Sequence, residues 1–265
     1  MSSFVILFGM ILIAALLGGF SAGLLGVFVV GLRMPFIAMF SAHAAMAGAV
    51  FGILLGFPQS ISGFTGALLG AILLGFVLRN RDIDPNVALG SLFSLMLGLA
   101  FLGIGLSEGP KSPMLGLLWG NLLFVSKNQI LVMALLTSVL VLFIKMFEKE
   151  LKILLFSREL ANIMGPEWII FTALLILSAG VITINLEIVG GMLLYSLIAN
   201  PAVASLRIAR TYRSAILLSS IFGALSALGG FMAAYLLDLP VGACIVLFSS
   251  IIVGICFFKT KSTRH

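Results

Sequence analysis

FVILFGMILIAALLGGFSAGLLGVFVVG, residues 4–31, is a run of apolar and small side chains that contains no charged residue. A helix crosses the hydrocarbon core of a bilayer with about 20 apolar residues, so this run is long enough to span a membrane. It is also longer than the apolar region of a signal peptide, and no basic residue precedes it. The sequence therefore predicts a first transmembrane helix that is retained in the protein.

The same kind of run recurs along the whole chain. Eight further candidates lie at residues 36–57, 61–78, 87–106, 129–147, 168–184, 186–205, 214–237 and 241–258. Of the 265 residues, 62% are hydrophobic and 9% are charged, whereas a soluble domain has roughly 25% charged residues. This composition excludes a soluble globular enzyme, a nucleic-acid-binding module and a disordered chain.

The runs predict an all-α, polytopic membrane protein with about 8–9 transmembrane helices in a single domain, residues 1–265. The count stays open because almost nothing separates run 168–184 from run 186–205. If nine runs alternate in direction, 13 of the 15 basic residues fall at one face, and only Lys111 and Lys127 fall at the other. Lys and Arg concentrate in cytoplasmic loops. We therefore expect the N-terminus outside and the C-terminus in the cytoplasm.

Two segments are neither spans nor simple loops. Residues 114–125 are apolar but too short to cross, which predicts an interfacial or re-entrant segment at the outer face. Residues 148–165 mix charged and apolar side chains at the inner face and predict a short cytoplasmic helix, about 150–165, that Ser157 caps and Gly165 ends. This helix is interpreted either as lying on the bilayer or as docking a cytoplasmic partner.

Few polar groups lie within the runs, and such groups are the first candidates for function in a membrane. His43 stands near the middle of the second run, with Met39 four residues before it and Met46 three residues after it. This spacing places the three side chains on one helix face. Two interpretations stay open: a histidine that packs and hydrogen-bonds between helices, or a histidine that lines a passage.

Two further positions are candidates for the same passage. Asn200 precedes Pro201, and a proline removes a backbone hydrogen bond from a helix. Two interpretations stay open: a lipid-facing kink, which needs only packing, or a broken helix whose free backbone groups face protein or a water-filled cavity. The polar side chain of Asn200 at the same point favours the broken helix. Glu187 lies at the predicted outer end of a run and brings negative charge to the outer mouth.

The sequence lacks the motifs of several kinds of chemistry. It contains no GxxxxGK[ST] phosphate loop, no HExxH and no Cys/His set with metal-finger spacing. Cys244 and Cys256 lie 12 residues apart in one run, too far for a disulfide within a straight helix, and are interpreted as small packing residues. The chain is therefore predicted not to be an enzyme and to hold no cofactor of its own.

A set of short motifs follows one order along nearly the whole chain. They are GVFVVGLRM at 26–34, AHA at 42–44 with Gly48, LWGNLL at 118–123, SRELA at 157–161 with Gly165, VGGMLL at 189–194, ANPA at 199–202 with AR at 209–210, and LLDLPVG at 236–242. With these motifs the chain resembles the membrane permease subunit of bacterial zinc/manganese/iron ABC transporters.

The resemblance implies a multi-pass protein of the bacterial cell (inner) membrane, surrounded by lipid, that works with three kinds of protein partner. Two permease copies, identical or different, would form the pathway, and two separate cytoplasmic ATPase subunits would bind ATP and Mg. An extracytoplasmic binding protein would deliver zinc, manganese or iron. His43 becomes a transient metal ligand and a pathway residue with Met39, Met46, Glu187 and Asn200. The segment that contacts the ATPase is identified as Ser157, Arg158, Glu159, Leu160, Ala161 and Gly165.

One departure from the family concerns the substrate. The family usually has an acidic residue one turn before this histidine, and here that position is Met39. A thioether with an imidazole suits a softer metal than a carboxylate with an imidazole does. Two alternatives therefore stay open: a permease of the same architecture for a chelated or non-metal substrate, and a secondary transporter that works without ATP. The second would normally need carboxylates at the midplane, and the runs have none there.

Overall fold

A computed structural model of the chain describes residues 2–79, 84–107, 114, 116–117, 120, 122–157, 160–161, 163, 165 and 167–262. These residues form ten α-helices and no strand. The helices are α1 (Ser2–Gly31), α2 (Phe36–Leu54), α3 (Gln59–Val77), α4 (Pro85–Leu106), α5 (Lys127–Met146), α6 (Glu148–Phe156), α7 (Glu167–Val189), α8 (Gly191–Ile208), α9 (Tyr212–Leu237) and α10 (Val241–Ser262). A short 3-10 helix occupies Leu122–Phe124.

Eight of these helices are long and apolar enough to cross a membrane, counted over the described residues. They are α1 to α5, α7, α9 and α10. Many large apolar side chains on α3, α4, α5 and α10 are exposed, as expected where a helix faces lipid. The prediction of an all-α, polytopic membrane protein is confirmed.

Helix α8 runs beside α10 at the same depth, although it is not among those eight. Asn200 lies opposite Ser249, and the guanidinium of Arg207 lies 5.1 Å from the ring centre of Phe257, so the two helices are parallel. Its 18 residues extend about 27 Å, close to the thickness of a hydrocarbon core. The geometry thus supports nine crossing helices rather than eight.

Close contacts between backbones set the direction of the other central helices. Gly19 and Gly23 of α1 lie against Gly223 and Ser219 of α9, where a Cβ on either glycine would overlap the facing carbonyl oxygen. Helices α1 and α9 are therefore antiparallel and touch at their backbones. Helix α10 is antiparallel to α9 in turn, because the two helices pack together and only residues 238–240 join them. The start of α1 and the end of α10 consequently lie at opposite faces of the bundle.

The break between α7 and α8 falls later than the sequence predicted. The runs 168–184 and 186–205 place it at Asn185, but α7 continues through Asn185 to Val189. The side chain of Asn185 donates to the Val181 carbonyl oxygen at 2.9 Å and so remains compatible with the helix. The chain turns instead at Gly190, whose φ of 96° is accessible to glycine.

The predicted break at Pro201 is wrong, because α8 continues through this residue. Packing of α8 between α1, α9 and α10 holds the helix together despite the missing backbone donor.

The predicted single helix over 150–165 is also interrupted. Helix α6 ends at Phe156, because Ser157 adopts an extended conformation with φ −160°.

Candidate functional site

His43 lies in the middle of α2 and faces α4. Its Nδ1 is 2.8 Å from the backbone oxygen of Met39. A carbonyl oxygen only accepts, so Nδ1 donates and Nε2 keeps its lone pair for another ligand. The ring meets Phe93 of α4 edge to face, with the ring centres 4.9 Å apart, and the residue is 9% exposed. The imidazole is thus oriented by its own helix and by one aromatic neighbour.

The two methionines next to His43 differ in their accessibility. Met46 is fully buried, whereas Met39 is partly buried. No group of three or more His, Cys, Asp or Glu side chains converges anywhere in the described part of the chain. A metal ion at His43 would therefore bind one imidazole and a methionine thioether from the same face of α2. Its remaining ligands would have to come from outside α2.

Asn200 makes a polar contact between helices away from His43. Its side-chain amide donates to Ser249 Oγ at 2.9 Å and to Ser250 Oγ at 3.2 Å, both on α10. Asn200 therefore lies at the α8–α10 interface. The described contacts place Asn200 beside α10 and His43 beside α4, so the two are not brought together.

Glu187 lies at a third place. Its Oε2 accepts a hydrogen bond of 3.1 Å from Gln129 Nε2. Both residues line a groove of about 490 Å³ between α3, α5 and α7, and no residue of α2 lines it. Of the five residues predicted to line the pathway, only Met39, His43 and Met46 share one location.

The segment predicted to contact the ATPase is described in part. Ser157 Oγ accepts a hydrogen bond of 3.4 Å from the backbone N–H of Leu160, and its carbonyl oxygen accepts one from Ala161. A second helical turn thus begins at Ser157. Leu160 is 43% exposed, and Ala161 and Gly165 line a cavity of about 470 Å³ against α6. Arg158 and Glu159 lie outside the described residues.

A charged cluster that no sequence motif predicted connects α6 to the start of α9. Arg213 binds both carboxylate oxygens of Glu148, at 2.9 and 3.0 Å, and Lys152 pairs with the same carboxylate. The hydrogen bonds from Arg213 and Lys152 lower the pKa of Glu148 to about 2. The ammonium of Lys152 also lies 5.3 Å from the ring centre of Tyr212. The residues of α6 and α9 in this cluster are 60 to 65 positions apart, so no local motif indicates the cluster.

A buried amide was missed as well. Asn185 is 1% exposed, and its Nδ2 donates to Ser21 Oγ of α1 at 3.1 Å. Its Oδ1 has no hydrogen-bond partner among the described residues and lies next to Gly18. The available signal was a lone amide in an apolar stretch, but Asn185 falls between the predicted runs 168–184 and 186–205.

Comparison with known proteins shows which family this fold belongs to. Residues 4–260 match the model of a family described as "ABC 3 transport family". The chain belongs to this family. The match covers nearly all of the described bundle and confirms the resemblance to an ABC transporter permease that the motifs predicted.

Curated relatives of this ABC 3 transport family protein include manganese permeases. The chain is 29% identical over 258 residues to "Manganese import system permease protein ScaB" of Streptococcus parasanguinis, covering 96% of this chain and 92% of that protein. It is 26% identical over 248 residues to "Manganese transport system membrane protein MntC" of Halalkalibacterium halodurans, covering 93% and 85%.

Two solved structures resemble this member of the family. One is "PsaBC from Streptococcus pneumoniae in complex with Fab", with a TM-score of 0.81, 27% identity and coverage of 95% of this chain and 91% of that one. The other is an inward-facing conformation of a putative metal-chelate type ABC transporter, with a TM-score of 0.74. At 17% identity over 94% and 85% of the two chains, the second shows a shared fold only.

Proposed function

We propose that the chain is the transmembrane permease subunit of an ABC importer for a divalent metal ion, with manganese as the first candidate. The observation that supports this most strongly is the full-length similarity to ScaB, which covers 96% of this chain and 92% of a manganese import permease. A second manganese permease and the PsaBC fold point the same way. Family membership also argues against a secondary transporter that works without ATP.

In this proposal His43 is the transient metal ligand. Its Nδ1 is held by the Met39 carbonyl group, which leaves Nε2 to bind the metal. Few protein ligands and a nearby thioether favour weak binding, and weak binding permits release during conduction. Glu187 and Asn200 lie elsewhere in the bundle, so neither is given a place in this metal site.

The proposal requires partners for energy and for delivery. Two copies of the permease, identical or different, would form the pathway between them, and an extracytoplasmic protein would bring the metal to it. ATP and Mg would bind to separate ATPase subunits that contact α6 and the turn at Ser157. The exposed Leu160 is the apolar side chain offered to that partner. This arrangement places the C-terminus and the Glu148 cluster in the cytoplasm and the start of α1 outside.

A chelated or non-metal substrate is the second candidate function. It is favoured by Met39, which stands where the family usually has an acid, and by the lack of a His, Cys, Asp and Glu cluster in the described residues. A bare dication in a low-dielectric passage needs compensating negative charge. A chelate brings its own ligands and needs less.

The test is transport by the assembled system. The chain is reconstituted in proteoliposomes with its ATPase and binding protein, and uptake of manganese, zinc and iron is measured with and without ATP. We expect ATP-dependent uptake of a free divalent ion that requires the binding protein. Uptake of a chelate alone would favour the second candidate, and uptake that is independent of ATP would contradict both.

A further inference from the structure

The groove between α3, α5 and α7 has one polar end and one apolar end. Its polar residues lie where these helices begin or end at one face: Ser60, Ser126, Asn128, Gln129 and Glu187. Its deeper walls are made of Phe64, Val132, Leu136 and Gly180. The rise of 1.5 Å per residue places Gly180 about 10 Å below Glu187 along α7. This profile matches an amphiphile whose headgroup lies at the membrane surface.

The polar end presents a carboxylate in a fixed position. Gln129 donates to Glu187 from its Nε2, while its Oε1 accepts from the backbone N–H of Ser126 at 3.0 Å in a capping box. The amide is therefore held from both sides. Within the described chain, no cationic side chain pairs with Glu187, so its negative charge remains available to a cationic ligand.

The deep end offers space but no free polar group. A Cβ at Gly180 would lie 3.2 Å from Phe64 Cε2 and 3.5 Å from Leu136 Cδ2, so these two side chains pack closely against the backbone at Gly180 and form a continuous apolar wall with it. The hydroxyl of Thr183 is already used, since it donates to the Ala179 carbonyl oxygen at 2.7 Å. A hydrocarbon chain suits such a wall, whereas a sugar or a hydrated ion would lose hydrogen bonds there.

We propose that this groove binds one phospholipid with a primary-amine headgroup. The ammonium pairs with Glu187, and one acyl chain lies along Phe64, Val132 and Leu136. An ammonium donates hydrogen bonds to a carboxylate, whereas a quaternary amine has no N–H to donate. An anionic headgroup without an amine would be repelled by Glu187. The amide of Asn128 is a donor near the position of the phosphate, whereas the Ser126 hydroxyl already donates to Gln129 Oε1 at 3.1 Å.

The test measures lipid binding to the purified full-length protein without metal or ATP, so its outcome does not depend on the proposed transport function. Native mass spectrometry compares phosphatidylethanolamine, phosphatidylcholine and phosphatidylglycerol with identical acyl chains. We expect phosphatidylethanolamine to bind about fivefold more tightly than the other two, the factor that one partly exposed ion pair supports. A photoreactive acyl chain of the same lipid should cross-link to α3, α5 and α7.

Two pairs of variants separate the headgroup from the chain. Glu187→Gln should abolish the preference for the amine lipid, whereas Asp238→Asn, at an exposed acid outside the groove, should keep it. Val132→Trp should fill the groove and reduce binding of all three lipids. Leu131→Trp is its matched control, because Leu131 is 67% exposed but does not line the groove, while Val132 is 46% exposed and does.

Three results would overturn the proposal. The first is equal binding of the three lipids to the unaltered protein. The second is equal lipid binding by Val132→Trp and Leu131→Trp. The third is cross-linking of the groove residues to a second protein chain, which would show that a protein covers this face.

Discussion

His43 combines two properties that a metal ligand in a membrane needs. Its Nδ1 donates to the Met39 carbonyl oxygen, so the ring orientation and the tautomer are set by the helix itself. Its ring packs edge-on against Phe93, which limits the positions open to Nε2. A packing role for this residue therefore depends on Nδ1, whereas a metal-ligand role depends on Nε2.

Replacing His43 by Asn separates the two roles. The Asn amide reaches the position of Nδ1 and keeps a donor for the Met39 carbonyl group, but nothing replaces Nε2. We expect metal uptake per inserted protein to fall about tenfold or more, with normal insertion and thermal stability. Metal uptake and membrane insertion are measured on the same vesicles. Normal uptake in His43→Asn would show that the ring only packs and hydrogen-bonds.

Met39 is the residue at which metal preference is expected to change. Met39→Asp adds a hard, charged oxygen ligand one turn from His43, which should shift preference toward manganese and zinc over softer ions. Met39→Leu is the matched control, because it removes the sulfur without adding charge. Competition between metals for uptake measures the shift. The same preference order in Met39→Asp and Met39→Leu would exclude this position from the metal site.

Pairs of helices in this protein are held by two different kinds of contact. Helices α1 and α9 touch backbone to backbone at glycines, a contact that depends on shape. Helices α6 and α9 are joined by charged groups at the Glu148 cluster, a contact that depends on paired charges. A substitution that tests the α1–α9 contact therefore has to add volume, and one that tests the α6–α9 contact has to reverse a charge.

Gly23→Ala should destabilise the α1–α9 pair. Its Cβ would overlap the Ser219 carbonyl oxygen, so the two backbones must move apart. Overpacking of this kind costs about 1–3 kcal/mol. Gly9→Ala on the same helix is the matched control, because a Cβ there meets nothing within 4 Å. Thermal unfolding in detergent compares the two variants, and equal midpoints would contradict the close approach.

Reversing charges tests whether α6 and α9 move together. Glu148→Arg and Arg213→Glu should each reduce transport per ATP hydrolysed, and the double variant should restore it, because the ion pair reforms with opposite sense. Lys149→Glu, an exposed charge on the same helix, is the control. A double variant no better than either single variant would show that the pair does not connect the two helices.

The same pair predicts how stability depends on pH. The folded-state pKa of Glu148 is about 2, below its ordinary 4.5, so the stabilisation is fully present above pH 4.5 and is lost as the pH falls toward 2. The stability difference between the unaltered protein and Glu148→Gln should therefore stay constant from pH 5 to 8. Thermal unfolding across this range measures it. A difference that vanishes by pH 6 would contradict the ion pair.

At the scale of the whole molecule, the helix directions and the charges agree. The start of α1 and the end of α10 lie at opposite faces. The Glu148 cluster lies at the face where α1 ends, because Gly31, the last residue of α1, is next to Leu155 of α6. Lys127 begins α5 and therefore lies at the other face. Because Lys and Arg are in excess at the face where α1 ends, we expect that face to be cytoplasmic.

Cysteine labelling in intact cells tests this orientation. With Cys244 and Cys256 replaced, an impermeant thiol reagent should modify Lys127→Cys but not Lys149→Cys, since both positions are exposed but lie at opposite faces. Permeabilised cells should label both, which controls for reactivity. Labelling of Lys149→Cys in intact cells would reverse the proposed topology.

The fold class and the resemblance to the family were predictable from the chain alone, because apolar run length and short motifs are local properties. The starts of α2 and α10 were also predictable, since runs 36–57 and 241–258 begin at the residues where these helices begin. His43 was predictable as a candidate because an imidazole in an apolar run is conspicuous. Its role there remains a prediction.

Only the tertiary structure decided which of these residues meet. The residues expected to line one pathway fall in three places, because Glu187 packs with α5 and Asn200 with α10. Helix α8 continues through Pro201, and α7 through Asn185, because neighbouring helices supply packing and hydrogen bonds that local propensity does not include. The Glu148–Arg213 pair and the groove beside Glu187 likewise depend on helices distant in sequence. Contacts of that kind arise from the geometry of packing, on which run length and spacing carry no information.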